Sequence, residues 1–309
     1  MRRALLGSVA LLTLGCGAHR AASPNSQGPA QDAAPAVSKT FPDTLLDESE
    51  LVRIQARARA IVASEQGAIR ASDLLSERQD LDTSGLGMFF TVARGNAWYS
   101  VFGHMEGGER FVPVYAYRAP VEFSEEMEAL PVGELPASFD GLARAVNAAT
   151  ERTFKVHGRR QMNPVVFEDS DGITVYVMQG MTDPERFLLG GDFRFRFSLD
   201  GRTVREEVAL HQGMIPVDMS EDAEGNHPTS SVHTHVLIAG PLETELSMVM
   251  LYPQLGTVCV GAHGQTVIYC MRPDGAIRAL SLKRKDVVRE LRGDGTFGSS
   301  EASSSPVDL

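Results

Sequence analysis

Between residues 45 and 292 the chain alternates between two apolar periods, one helical and one extended. Over 47–63, Leu51, Ile54, Ala58 and Ile61 recur at helical spacing with Arg53, Arg57 and Arg59 between them. That spacing predicts an amphipathic helix with solvated arginines. Residues 69–76 predict a second, shorter helix. The stretches 87–93, 98–103 and 111–118 are rich in aromatic and β-branched residues and predict strands. The turn residues of Arg94-Gly95-Asn96 and Glu106-Gly107-Gly108-Glu109 between them suggest an antiparallel meander. His104 falls at a strand end and reads as an exposed side chain.

A further helix is expected over 138–154, with Leu142, Ala145, Val146 and Ala149 as its apolar stripe. Strands at 165–167 and 173–178 flank Asp169-Ser170-Asp171-Gly172. This acidic segment has too few regularly spaced oxygen ligands for a calcium loop and reads as a turn. The clearest hairpin runs over 192–210. Phe193, Phe195 and Phe197 alternate with Arg194 and Arg196, and Asp200-Gly201 is a strong turn signal. A two-residue turn there sets Phe197 against Val204, Phe195 against Glu206 and Phe193 against Val208. Cross-strand partners share a face, so Glu206 falls on the aromatic side, with Glu207 outside beside the arginines. Two readings of Glu206 stay open: a buried carboxylate of raised pKa, suited to a general base, or a wet group at the sheet rim. Residues 215–229 read as a polar loop, a lid or a plain connection. After the central histidines come strands at 257–261, 266–271 and 277–282, then a short helix or irregular end around Val287, Val288 and Leu291. The elements add up to an α+β fold, mainly antiparallel sheet with a few packed helices. One composite domain, or an N-terminal half (45–154) and a C-terminal half (155–292), both fit the pattern.

Residues able to do chemistry cluster between Asn226 and Pro253. Apart from His233-Thr234-His235, residues 232–238 are apolar and largely β-branched, and they read as a buried strand. Side chains alternate along a strand, so His233 and His235 share one face, spaced to bind one divalent ion. Gly240-Pro241 ends the strand, and Leu242, Leu246, Val249 and Met250 predict a short helix with Glu243 and Glu245 in its first turn. A His-x-His strand, a short loop, then Pro and an acidic residue opening a helix resembles the core motif of the JAMM (JAB/MPN-type) metalloproteases. That resemblance implies zinc held by His233 and His235, with Glu245 near the position of the family's Asp ligand. The family's Ser corresponds to Leu242, which has no hydroxyl. His227 lies close enough in sequence to swing in as another nitrogen ligand.

Composition then places the molecule. Arg2-Arg3 and the apolar run 4–14 form an export signal too short to span a bilayer. Leu14-Gly15-Cys16 resembles a bacterial lipobox, which implies a lipidated Cys16 and an envelope lipoprotein facing the periplasm or the cell surface, with the bilayer as its partner. An ordinary cleaved secretory signal is the alternative. Residues 17–44 are rich in Ala, Pro, Ser, Gln and Gly and read as a disordered tether, and 293–309 as a disordered tail. The formal net charge of −11 argues against nucleic-acid binding. Export puts Cys259 and Cys270 in an oxidising compartment, where paired cysteines form disulfides. A Gly264-Gln265 turn sets the two opposite each other; a His263-Gly264 turn leaves them diagonal. Two functions follow from the sequence: a lipid-anchored envelope protein with a binding or structural role, or a zinc-dependent hydrolase with His233, His235 and Glu245 as ligands and Glu206 as base.

Overall fold

The computed structural model describes residues 40–180, 186–220 and 228–298. The signal segment with Cys16, loop residue His227 and most of the expected tail lie outside them. The long helix α1 (Glu48–Ser76) begins at Asp47, whose carboxylate accepts the Glu50 N–H at 2.8 Å, a regular N-cap. It runs unbroken through what the periodicity separates into two helices. Gly67 lies at the join, where a Cβ would come within 2.9 Å of the Met127 side chain. Thr91 Cγ2 and the Ser124 carbonyl oxygen would lie 3.3 and 3.4 Å away, so the helix packs closely there.

Strands β1 (Met88–Arg94), β2 (Ala97–Glu106), β3 (Arg110–Pro120) and β4 (Glu128–Leu130) form an antiparallel meander in that order. A second four-stranded sheet is built from β5 (Met162–Asp169), β6 (Gly172–Gln179), β8 (Phe193–Phe197) and β9 (Val204–Ala209). Strand β1 runs beside β5, so the two sheets meet edge to edge. Helix α2 (Asp140–His157) covers one face of both sheets, joining Phe90, Val101, Leu142, Val146, Val175 and Phe195 in a single core. On the other face, Ile61 and Leu75 of α1 pack with Phe102, Tyr117, Val165 and Tyr176. Both cores draw residues from either side of position 154, so the hydrophobic interior runs across that boundary.

Strand β7 (Arg186–Gly190) pairs with β10 (Met214–Asp218), which occupies the start of the segment expected as a loop. The third large sheet follows the order β11 (Ser230–His235), β12 (Thr257–Ala262), β13 (Val267–Met271), β14 (Ile277–Ser281) and β15 (Asp286–Leu291). The segment expected as a short helix or irregular end is therefore strand β15. The described strand pairs are antiparallel except β11 with β12, whose crossover carries α3 (Glu243–Leu251). This is an α+β fold with mainly antiparallel sheet. The parallel pairing depends on Gly256, at φ +64, where any Cβ would lie 2.0 Å from the Thr229 carbonyl oxygen.

Two boundaries differ from the composition-based expectation. Residues 40–44 of the expected tether rest on the body: Phe41 is buried and donates its N–H to the His263 carbonyl at 3.0 Å, and Asp43 accepts from Thr266 and Lys283. At the other end, Phe297 bridges back to Leu291. Cys259 and Cys270 face each other across β12 and β13 and form a disulfide with an S–S distance of 2.04 Å. The turn beyond them combines the two expectations. His263 and Gly264 are its central residues, with Gly264 at φ +89 and Gln265 donating to the Ala262 carbonyl. Unequal loop lengths on its two sides still set the cysteines opposite.

Candidate metal centre

The β8–β9 hairpin and the β11–α3 crossover bring the site together. Strand β11 is an edge strand, shorter than expected, and it is buried on one side alone. Val232 is 67% exposed and Thr234 is exposed, while His233 and His235 point inward, as period-two alternation requires. The chain then turns through Gly240 into α3. Glu245, on the first turn of that helix, sends Oε2 back toward the Leu242 N–H at 3.4 Å, the carboxylate half of a capping box. Its Oε1 faces the histidines.

A third histidine enters from the base of the β8–β9 hairpin. Leu210 donates its N–H to the Asp192 carbonyl at 3.0 Å, closing that hairpin and leaving His211 beside Asp192. The Nε2 atoms of His233, His211 and His235 lie 2.6, 3.0 and 3.1 Å from Oε1 of Glu245. The Nε2 atoms of His233 and His235 are 3.2 Å apart. One ligating atom from each of the four residues lies within 4.8 Å of all the others. Donors about 2.1 Å from a common centre in a tetrahedron stand about 3.4 Å apart, so this spacing needs little adjustment to hold one zinc-sized ion. His211, His235 and Glu245 are buried, and the His233 side chain is 8% exposed.

The far side of each ring decides what its Nε2 can do. His235 Nδ1 lies 2.9 Å from the Gly240 carbonyl, which can only accept, so Nδ1 carries the hydrogen. His211 Nδ1 hydrogen-bonds the Asp192 carboxylate, whose other oxygen accepts from the Thr244 hydroxyl. In their neutral forms both rings therefore aim a bare lone pair at a carboxylate oxygen. Such a meeting of acceptors is stable only with added protons or a cation between them. Burial opposes a charge on His211, but the carboxylates of Asp192 and Glu245 on its two nitrogens outweigh it and bring its pKa up to about 10. Burial alone would raise the Glu245 pKa. The His235 charge and the hydrogen bonds from the three imidazoles overcome this and hold it well below the ordinary carboxylate range. A carboxylate behind a histidine and a backbone carbonyl behind another are the supports that orient imidazole ligands toward a metal.

Of the residues singled out from the sequence, His233, His235 and Glu245 meet here and Glu206 does not. A β-bulge explains its absence. Phe197 faces Val204 as expected, but Arg205 is then extra on β9, so Glu206 falls opposite Arg196 and Glu207 opposite Phe195. Glu206 is half-exposed and pairs with Arg194 at 3.3 Å, so it is no base on a buried aromatic face. Arg194 also reaches Glu243, a buried carboxylate that accepts the Tyr176 hydroxyl at 2.7 Å. The Leu242 side chain is buried among apolar residues and supplies no donor to the cluster; only its backbone N–H reaches Glu245. In the arginine run, Arg57 is half-buried, paired with Asp169 at 2.9 Å and stacked over Phe167, so it is not merely solvated. That pairing also uses the Asp169 carboxylate, consistent with a turn at 169–172. Sequence reasoning missed His211 and Asp192. In the observed register Leu210 lies opposite Asp192 and His211 follows at the base of the hairpin, whereas the register expected from the sequence sets Asp192 opposite Ala209, so the bulge hides this pair.

Among the described residues, no helix is long and apolar enough to cross a membrane. No protein-family model, curated protein or solved structure matches the chain.

Proposed function

We propose that the protein is a metalloprotein of the bacterial cell envelope, binding one divalent transition ion through His211, His233, His235 and Glu245, with zinc the best match. The observation that carries this reading is the convergence of three Nε2 atoms on one Glu245 oxygen, two of the rings having committed Nδ1 to an acceptor behind them. Three imidazoles and one carboxylate are a borderline donor set suited to zinc. Four protein donors in a nearly sealed site favour a structural or binding role over turnover, because catalytic sites keep a coordination position open. The envelope location rests on Arg2-Arg3, the apolar run after it and Leu14-Gly15-Cys16.

A second reading, a metal-dependent hydrolase, is supported by a cavity of about 20 Å³ bounded by Gln179, Asp192, Thr244 and Glu245, enough for one water. Gln179 is buried, and its side-chain Nε2 has no hydrogen-bond partner among the described residues. In this reading His211, His233 and His235 would hold the ion, which would supply Lewis-acid activation of a water, and Glu245 would be the carboxylate at hand to accept a proton.

Elemental analysis of the purified full-length chain tests the metal. About one zinc per chain is expected, lost in His211→Ala and His233→Ala. A metal-free protein that takes up no zinc after refolding in its presence overturns the proposal. Cobalt substitution separates the two readings: a spectrum unchanged by anions such as azide favours the closed site, a shifted one the open site. Cys16→Ala should free the protein from the membrane fraction. A wild type found soluble, with its N-terminus beyond Cys16, would end the lipid-anchor reading.

A further inference from the structure

A second buried carboxylate lies in a partly open cavity of about 100 Å³ between α1, β1, β5 and the end of α3. Glu65 forms part of its wall and is 8% exposed. Its Oε2 accepts from Asn163 Nδ2 at 3.3 Å, and no Lys or Arg pairs with it among the described residues. The Asn163 Oδ1 is buried and has no hydrogen-bond partner there. Three of the four hydroxyls lining the cavity are committed elsewhere: Ser64 donates to the Thr91 carbonyl at 3.2 Å, Ser72 to the Ala68 carbonyl at 2.8 Å, and Thr91 bonds Ser100 at 2.6 Å, which leaves the Tyr252 phenol. The cavity therefore presents the Glu65 carboxylate and the Asn163 carbonyl as acceptors against a single uncommitted hydroxyl among the described residues, that of Tyr252. Around them stand the rings of Phe89 and Tyr252 and the alkyl surface of Ile69.

We propose that this cavity binds a small primary ammonium compound with a short alkyl group, about five non-hydrogen atoms in all. An ammonium group has three N–H donors and no acceptor. It complements the Glu65 carboxylate and the Asn163 carbonyl at once, and aromatic faces attract a cation. The alkyl portion rests on Ile69. Burial raises the Glu65 pKa to about 7, as expected of a carboxylate without its cation. The cavity shares no residue with the metal centre, so the two stand or fall separately.

The test is a titration of the full-length chain with isobutylammonium near neutral pH, read from the methyl NMR signals of Ile69 and Ala68, with isobutanol as the neutral isostere. Saturable shifts are expected with the ammonium. Binding should be weaker by about tenfold or more for isobutanol and for Glu65→Gln, since each loses a charge-assisted hydrogen bond. Absence of saturable shifts, an alcohol that binds as well as the ammonium, or undiminished binding in Glu65→Gln overturns the proposal. The comparison of alcohol with ammonium needs no variant, so it decides the matter even if Glu65→Gln does not fold.

Discussion

Glu65 and Glu245 are both buried carboxylates on helices, yet the protein drives them in opposite directions. At Glu65, burial dominates. The Asn163 amide offsets it in part, and the pKa comes to about 7. At Glu245 the same burial is outweighed by three imidazoles, and the pKa falls well below the ordinary value. Burial is thus a common background, and the neighbours decide which protonation state is stable. The chemistry that suits each pocket follows from this contrast: a metal ion where ring lone pairs and a carboxylate converge, and an ammonium where acceptors face an apolar space.

The largest effect expected comes from removing Glu245. Glu245→Ala should abolish stoichiometric zinc and leave buried imidazoles without their counter-charge, a loss on the order of 3–5 kcal/mol. Chemical denaturation with and without a chelator measures it. If the variant keeps wild-type stability and metal content, Glu245 is a bystander and the contrast with Glu65 collapses.

Glu65→Gln should act with the opposite sign. Its folded pKa of about 7 lies above the ordinary carboxylate value of 4.5, so the folded state binds more protons than the unfolded state between those values. Wild-type stability should therefore fall as pH rises through that window and level off above it. At 1.36 kcal/mol per pH unit, the interval amounts to on the order of 3 kcal/mol. Asn163 is uncharged, and the Tyr252 phenol, itself raised to about 12 by burial and the Glu65 charge, does not titrate in this range. The glutamine variant should gain on the wild type across that window. Parallel stability curves for the two proteins would show that Glu65 ionises freely in the folded state.

These two pockets also show how far the sequence could be read. Helix α2, the meander β1–β3 and the β8–β9 hairpin follow from local periodicity, and the His233 and His235 pair follows from strand alternation. Glu206 was misplaced because a bulge at Arg205 reverses which side of β9 faces the core, and a two-period pattern does not announce a bulge. His211 stayed hidden because its link to β11 is tertiary, through the base of a hairpin far earlier in the chain. Glu65 falls between the two helices expected at 47–63 and 69–76, where the apolar pattern assigns no burial. It becomes enclosed only when β1, β5 and Tyr252 close over α1, contacts that no local pattern encodes.

A smaller effect is expected from the group behind His211. Asp192→Asn keeps the size of the side chain but removes the charge that fixes the ring and draws its Nδ1 hydrogen. Loss of such a supporting partner weakens metal affinity by about 10–100-fold. Competition with a chromophoric chelator would measure this. Unchanged affinity would mean that His211 is held in place by packing alone.

The smallest effect should come from Asn163→Ala, and it separates the two causes acting on Glu65. The amide donates one hydrogen bond to the carboxylate, at 3.3 Å, the long end of the range. Removing it leaves burial unopposed, so the Glu65 pKa should rise further above 7 and the pH at which stability is lost should move upward with it. The loss of one such bond costs about 0.5–1.5 kcal/mol, felt mainly at pH values where Glu65 is ionised. Alanine also enlarges the cavity and admits water, which would solvate the carboxylate and act the other way. Titration of Glu65 by carbon-13 NMR distinguishes these outcomes. An upward shift identifies the amide as the group that keeps Glu65 partly ionised at neutral pH, whereas a downward shift would show that enclosure, more than the hydrogen bond, sets its charge.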